Sequence, residues 1–164
     1  MTPKQRMSLA KVGHPKHLDE LIKDKNPKVR KYVAWYGDDK HKDILTKDKD
    51  NTVRNTVAEK GNDSHRDKLI DDKHWAIRHT IAALGNDSHR DKLVHDKDPY
   101  IRKAVAEYGK DSHREKLLHD EDYEVRYAAA VHGNKEHATK LLNDPNDAVS
   151  DAARFRLQGL RHKD

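Results

Sequence analysis

The chain has no cysteine among its 164 residues. Disulfides, iron–sulfur sites and thiolate zinc sites are therefore excluded, and a cysteine-free chain fits the reducing cytoplasm, the expected location. Aromatic residues are scarce at 5%, with a single Phe, and only 34% of residues are hydrophobic. Such a composition approaches the disordered class, in which too little apolar surface offsets chain entropy. No apolar run approaches the ~18 residues of a membrane span, so no membrane partner is expected. The opening MTPKQRMSLAKVG lacks the apolar core of a signal peptide, so no leader is expected. No segment alternates polar and apolar residues with period two, so no sheet is expected.

Order is present in the spacing of the residues. Gly recurs at 13, 37, 61, 85, 109 and 133, and His at 17, 41, 65, 89, 113 and 137. Leu recurs at 21, 45, 69, 93, 117 and 141, while Asp24, Asp48, Asp72, Asp96, Asp120 and Asp144 keep the same 24-residue step. Arg6, Arg30, Arg54, Arg78, Arg102 and Arg126 complete the register. Self-similarity at a fixed period of this size marks a stacked repeat architecture. With Gly as position 24, the repeats are 14–37, 38–61, 62–85, 86–109 and 110–133, flanked by a half-repeat at 1–13 and a terminal repeat at 134–164. All belong to one expected domain, 1–164.

Each repeat reads as two helices. The pairs Ser64/Asp67, Ser88/Asp91 and Ser112/Glu115 have capping-box spacing, which starts a short first helix of about two turns. A turn follows, and Asp98 with Pro99 reads as the N-cap and first residue of a second helix. Apolar residues then fall at positions 16, 19, 20 and 23, as in Ile101, Ala104, Val105 and Tyr108, which share one helical face. Gly109 is expected to end that helix with positive φ. One repeat cannot bury its stripe alone, so repeats stack into a continuous core. At the far end Ser150, Arg154 and Leu157 replace the recurrent Arg, Ala and Gly. Phe155, Leu157 and Leu160 are expected to extend and close the last helix. The array is therefore expected to be capped at both ends, a whole protein and a monomer.

These residues carry a family resemblance. Asp96, Ile101-Arg102 and the small residues of Ala104-Val105-Ala106 resemble the HEAT-like repeats over roughly residues 2–157. The 24-residue length with a short first helix resembles the leucine-rich-repeat variant subgroup more closely. That resemblance implies an all-α fold, a right-handed α-solenoid of about six helix-turn-helix repeats, alternating α and 3₁₀ helices. It also implies an Asp/Arg hydrogen-bonded ladder along the stack. The pairs Asp24/Arg30, Asp48/Arg54, Asp72/Arg78, Asp96/Arg102 and Asp120/Arg126, each six apart, are assigned to it. Arg offers a five-donor fork that Asp can accept. The alternative use of these Arg side chains is to grip phosphates, but each has an Asp in its own repeat that cancels most of its field. The fold itself transfers no chemistry.

The recurrent His sits four residues before a Leu, one per layer. Layers about 8–10 Å apart do not bring three or four donors together, so a packed, neutral His is expected and no metal. The recurrent Ser residues are caps, no phosphate-cradling Gly-rich loop is present, and no enzyme activity or cofactor is expected. The first helices carry Lys42, Arg66, Arg90 and Arg114 interleaved with Asp43, Asp67, Asp91 and Glu115, which reads as a solvated face.

Function is expected where the period breaks. Positions 14, 15, 18 and 22 face away from the stripe and hold Trp75 and Tyr123, Tyr100, His79 and Tyr127, and Trp35. Large aromatics at outward slots are candidate partner-binding hot spots. Lys28, Lys31, His79 and Lys103 lie beside them. The leading expectation is a non-enzymatic module, an adaptor or inhibitor, that binds a protein through its second-helix surface. The alternative is a nucleic-acid backbone held by the basic edge Lys25, Lys49, Lys73 and Lys97. Residues 1–49 carry 13 Lys/Arg against 7 Asp/Glu, a net of +6, while the rest carry 21 against 22.

Overall fold

The computed structural model describes residues 1–161, with side chains through Gly159. Among these residues there are thirteen helices and no strand. They fall into two compact units, Met1–Leu84 and Gly85–Asp164. In the first unit the longer helices are α1 (Pro3–Val12), α3 (Pro27–Tyr36), α5 (Asn51–Lys60) and α7 (Trp75–Leu84), and the short ones α2 (Pro15–Leu21), α4 (Asp39–Leu45) and α6 (Asp63–Leu69). The second unit holds short α8 (Asp87–Leu93), α10 (Asp111–Leu117) and α12 (Lys135–Lys140) beside longer α9 (Pro99–Tyr108), α11 (Tyr123–His132) and α13 (Asp147–Arg161). The short helices are α-helical throughout, so the 3₁₀ helices implied by the resemblance are replaced by two-turn α-helices.

In each unit the longer helices pack in sequence, α1 to α3 to α5 to α7 and α9 to α11 to α13. Their buried stripe is Val29, Val33 and Ala34 in one layer, Val53, Val57 and Ala58 in the next, and Ile101, Val105 and Ala106 in the second unit. Leu18, Leu45, Leu69, Leu93 and Leu117 close the core from the short helices. Each fully buried branched side chain contributes about 1.5–3 kcal/mol. The stripe corrects the expected one: position 23 is not core, because Tyr36, Leu84 and Tyr108 are exposed. The alanines at position 21 take its place, and their small side chains let successive helices approach.

The second-helix N-caps are Asn26, Asp50, Asp98 and Asp122, with Pro99 at the first helical position as expected. The first-helix caps differ from the Ser assignment. Asn62 and Asn86 cap α6 and α8, and Ser64 and Ser88 lie inside the helices. Asn62 Oδ1 accepts the His65 N–H at 3.2 Å, and His65 Nδ1 accepts the Asn62 N–H at 3.0 Å. The recurrent His therefore plays the part that Glu or Gln plays in a capping box.

The recurrent glycines also serve a different purpose from the expected one. Gly37, Gly61, Gly109 and Gly133 have extended backbones, and only Gly13 has positive φ, at 73°. A Cβ on Gly61 would lie 2.6 Å from Val57 O and 2.9 Å from His65 Cβ. The glycine permits a close approach between the end of one helix and the His that opens the next. At the chain end α13 does extend to Arg161, but Phe155 is 77% exposed and closes nothing. The side chain of Leu160 lies outside the described residues.

Candidate functional site: aromatic faces of the second helices

The ladder sets what is unavailable for binding. Arg30 does not bind the Asp24 carboxylate of its own repeat. It donates through Nε and one Nη to Asp48 of the next repeat, at 2.6 and 2.8 Å, while its other Nη donates to the backbone carbonyl of Asp24 at 2.7 Å. Arg6–Asp24, Arg54–Asp72, Arg102–Asp120 and Arg126–Asp144 repeat the arrangement. The pairs thus lock one layer to the next, correcting the assignment within a repeat. Each Asp also accepts the backbone N–H two residues on, as Asp48 does from Asp50 at 2.9 Å. Burial pushes the Asp72 carboxyl up, but the Arg54 hydrogen bond and the His74 N–H outweigh it and hold it below the usual range. Arg30, Arg54 and Arg102 are buried with every edge engaged.

The recurrent His residues are committed to the fold through Nδ1. His65, His89, His113 and His137 are buried, each with Nδ1 accepting an N-cap N–H. His41 differs, because its cap is Asp38, whose carboxylate lies 2.5 Å from Nδ1. Burial pushes His113 below its ordinary value despite Asp91 and Asp87 nearby. Among the described residues no three His, Asp or Glu side chains converge as metal ligands would. The basic residues at position 5 are not a solvated face. Lys42 donates to Gly37 O, Arg66 to Ala58 O at 3.1 Å and Arg114 to Ala106 O at 2.9 Å, so they cap the carbonyl ends of the preceding second helices.

What remains open is the outward face of the longer helices. In the first unit Trp35 is 44% exposed, and its ring lies 6.4 Å from that of Tyr36, which is 6.0 Å from Tyr32. These three rings and Lys31 line a depression of about 270 Å³. The Lys60 ammonium sits 3.8 Å over the Trp35 ring. Trp75 is exposed on α7, stacked on His74 and edge-on to His79. Lys28 is exposed nearby on α3. Between these clusters Thr80 donates to Asn55, which donates to Glu59 at 2.7 Å.

In the second unit Tyr100 is exposed, and with Lys103 and Glu124 it borders a cleft of about 80 Å³. Lys103 is paired with Glu124 at 2.9 Å, and that bond raises its pKa. Tyr123 is exposed at the start of α11. Tyr127 lines a larger apolar groove of about 830 Å³ with Val131, Ala148, Ala152 and Phe155. The sequence reading missed Tyr32, Tyr36, Tyr108 and Phe155. Its available signal was size, because Tyr32 occupies a slot that holds buried Ala in α9 and α11. The alternative basic edge is exposed throughout: Lys25, Lys49, Lys73 and Lys97 all reach solvent.

These features define a helical-repeat solenoid built on a 24-residue unit. A solved structure described as a leucine-rich repeat variant with a novel repetitive protein structural motif is similar to it, with 25% identity and a TM-score of 0.57. That match covers 87% of this chain and 71% of the other. A designed armadillo repeat protein (21% identity, TM-score 0.36, 96% of this chain and 86% of the other) and an engineered protein (18%, 0.34, 99% and 85%) are more distant. Neither a protein-family model nor a curated protein matches the chain. Among the described residues no helix is long and apolar enough to cross a membrane.

Proposed function

We propose that the protein is a non-enzymatic binding module, an adaptor or inhibitor that holds a protein partner on its second-helix surface. The observation that carries this reading is the segregation of side chains. The in-register Arg, Asp and His are consumed by the fold, while the period-breaking Trp35, Trp75, Tyr100, Tyr123 and Tyr127 stand exposed on the longer helices. Tyr and Trp are the residues most enriched in interface hot spots, because each brings large area at low conformational cost. Lys28, Lys31, His79 and Lys103 would supply the polar rim around them. A photo-cross-linking residue placed at Trp35 or Tyr127 should give a discrete protein adduct in native extract, and one at exposed Lys135 should not. Equal labelling from all three sites would remove the aromatic faces from the proposal. The competing reading, a nucleic-acid backbone held by Lys25, Lys49, Lys73 and Lys97, predicts an affinity for DNA or RNA that falls steeply with salt.

A further inference from the structure

A second surface lies on the opposite register of the first unit, at the turns that join short helix to long helix. The turns after α2 and α4 enclose a shallow groove of about 440 Å³ whose rim carries Lys23, Lys25, Lys47 and Lys49. All four lysines are exposed and none makes an ion pair among the described residues. The acidic groups in the groove do not offset them. Asp24 is bound by Arg6 and by the Asn26 N–H, and Asp48 by Arg30 and the Asp50 N–H. Asp50, just beyond, caps α5 and accepts from Thr52 and Val53. The groove therefore presents two pairs of uncompensated ammonium groups, one pair per layer, around an apolar patch. Ile44 is 54% exposed there, beside buried Leu45.

The charge is local. At the third equivalent turn Asp71 replaces the first lysine of the pair, leaving only Lys73. A nucleic acid would meet few phosphate partners over two layers, and affinity from counterion release scales with the number of phosphates neutralised. No aromatic ring lines the groove, and the Arg30 guanidinium is spent on Asp48 and Asp24, so nothing is offered for a base to stack on. An acidic polypeptide fits better. Layers about 8–10 Å apart match about three residues of polyproline-II chain at roughly 3.1 Å each, a conformation that returns every third side chain to the same face. We propose that this groove binds an extended acidic segment of a partner protein, with Asp or Glu recurring every third residue and an apolar side chain against Ile44. The site is separate from the aromatic faces and stands or falls independently of them.

The probe is a fluorescein-labelled peptide in which Glu recurs every third residue among Pro, Ser and Leu, followed by anisotropy on the full chain. We expect saturable binding. It should weaken about tenfold or more in Lys25→Glu/Lys49→Glu, since like-charge juxtaposition is strongly unfavourable. The neutral Lys25→Gln/Lys49→Gln should lose affinity by a smaller factor. Lys4→Glu/Lys135→Glu, which changes net charge equally, and Trp35→Ala should bind as the wild type does. The proposal is overturned if no binding is seen, if a Gln-for-Glu peptide binds equally well, or if either groove variant keeps wild-type affinity. It is also overturned if oligothymidylate displaces the peptide at lower concentrations than unlabelled peptide, which would assign the groove to nucleic acid.

Discussion

At the residue scale the Arg–Asp ladder is the costliest feature to break. Arg54 and Asp72 are buried against each other at 2.6 Å, with side chains only 7% accessible. Truncating Arg54 to Ala leaves a buried carboxylate without its cation, a change that costs about 3–5 kcal/mol in comparable pairs. Chemical denaturation should show a loss of that size, far above the change for exposed Lys28→Ala. Acid should act in two windows. His113 is held below its ordinary value of 6.5, so the unfolded chain takes up that proton first. The stability this group contributes is full above about pH 6.5 and lost as pH falls through the lower folded value. The lowered carboxyls Asp72 and Asp144 contribute stability present above about pH 4, lost as pH falls through their folded values. Melting temperature followed from neutral pH to pH 3 should therefore fall in two stages, and a flat profile between about pH 6.5 and 4.5 would contradict the role given to His113. The ladder residues were legible in the sequence, but their pairing was not. In a 24-residue repeat an Asp six before Arg and an Asp eighteen after it occupy the same phase, so spacing alone cannot choose between them.

At the scale of single elements, the first helices and their glycines show how a correct feature can carry a mistaken reason. Asn62→Ala removes the side chain that accepts the His65 N–H and should cost about 1 kcal/mol. Ser64→Ala, the second residue of α6 and exposed, should stay within about 0.5 kcal/mol in the same thermal or urea melt. The reverse order would restore Ser as the cap. Both Ser64/Asp67 and Asn62/His65 have the same three-residue spacing, and only the backbone tells which pair sits at the helix start. The familiar capping box uses Glu or Gln at the third helical position, so the spacing alone does not single out His as the partner. Gly61→Ala should destabilise by about 1–3 kcal/mol through overpacking against Val57 O and His65. Its extended backbone would tolerate any side chain, so the loss would come from crowding alone. Sequence cannot separate a glycine needed for positive φ from one needed for close approach, since both forbid a Cβ.

At the scale of the whole molecule, the repeat length, helix order and most core positions could be read directly, because each is set by a strong local signal. Gly, the N-cap residues and the Val/Ile-Arg dipeptides fix where helices begin, end and face the core. The exposed aromatic faces were legible in part, as departures from the period at Trp35, Trp75, Tyr100, Tyr123 and Tyr127. Position 23, which holds Tyr36 and Tyr108, lies on the edge of the expected stripe, where a few degrees of helix rotation decide exposure. The basic groove was seen only as an edge. Its force comes from Asp24 and Asp48 being neutralised by Arg residues of neighbouring layers, and that depends on the pairing that periodicity leaves ambiguous.

The central claim is that the in-register Arg, Asp and His hold the fold while the aromatic residues that break the register hold a partner. Its most direct test is partner capture from native extract by the wild type and by Trp35→Ala/Tyr100→Ala/Tyr127→Ala, with helical circular dichroism and melting recorded on both. These aromatic side chains are exposed, so truncation should leave the melting curve within a few degrees of wild type. The account predicts a discrete protein retained by the wild type and lost by the triple variant at unchanged helicity. Undiminished capture of that protein by the well-folded triple variant would contradict it.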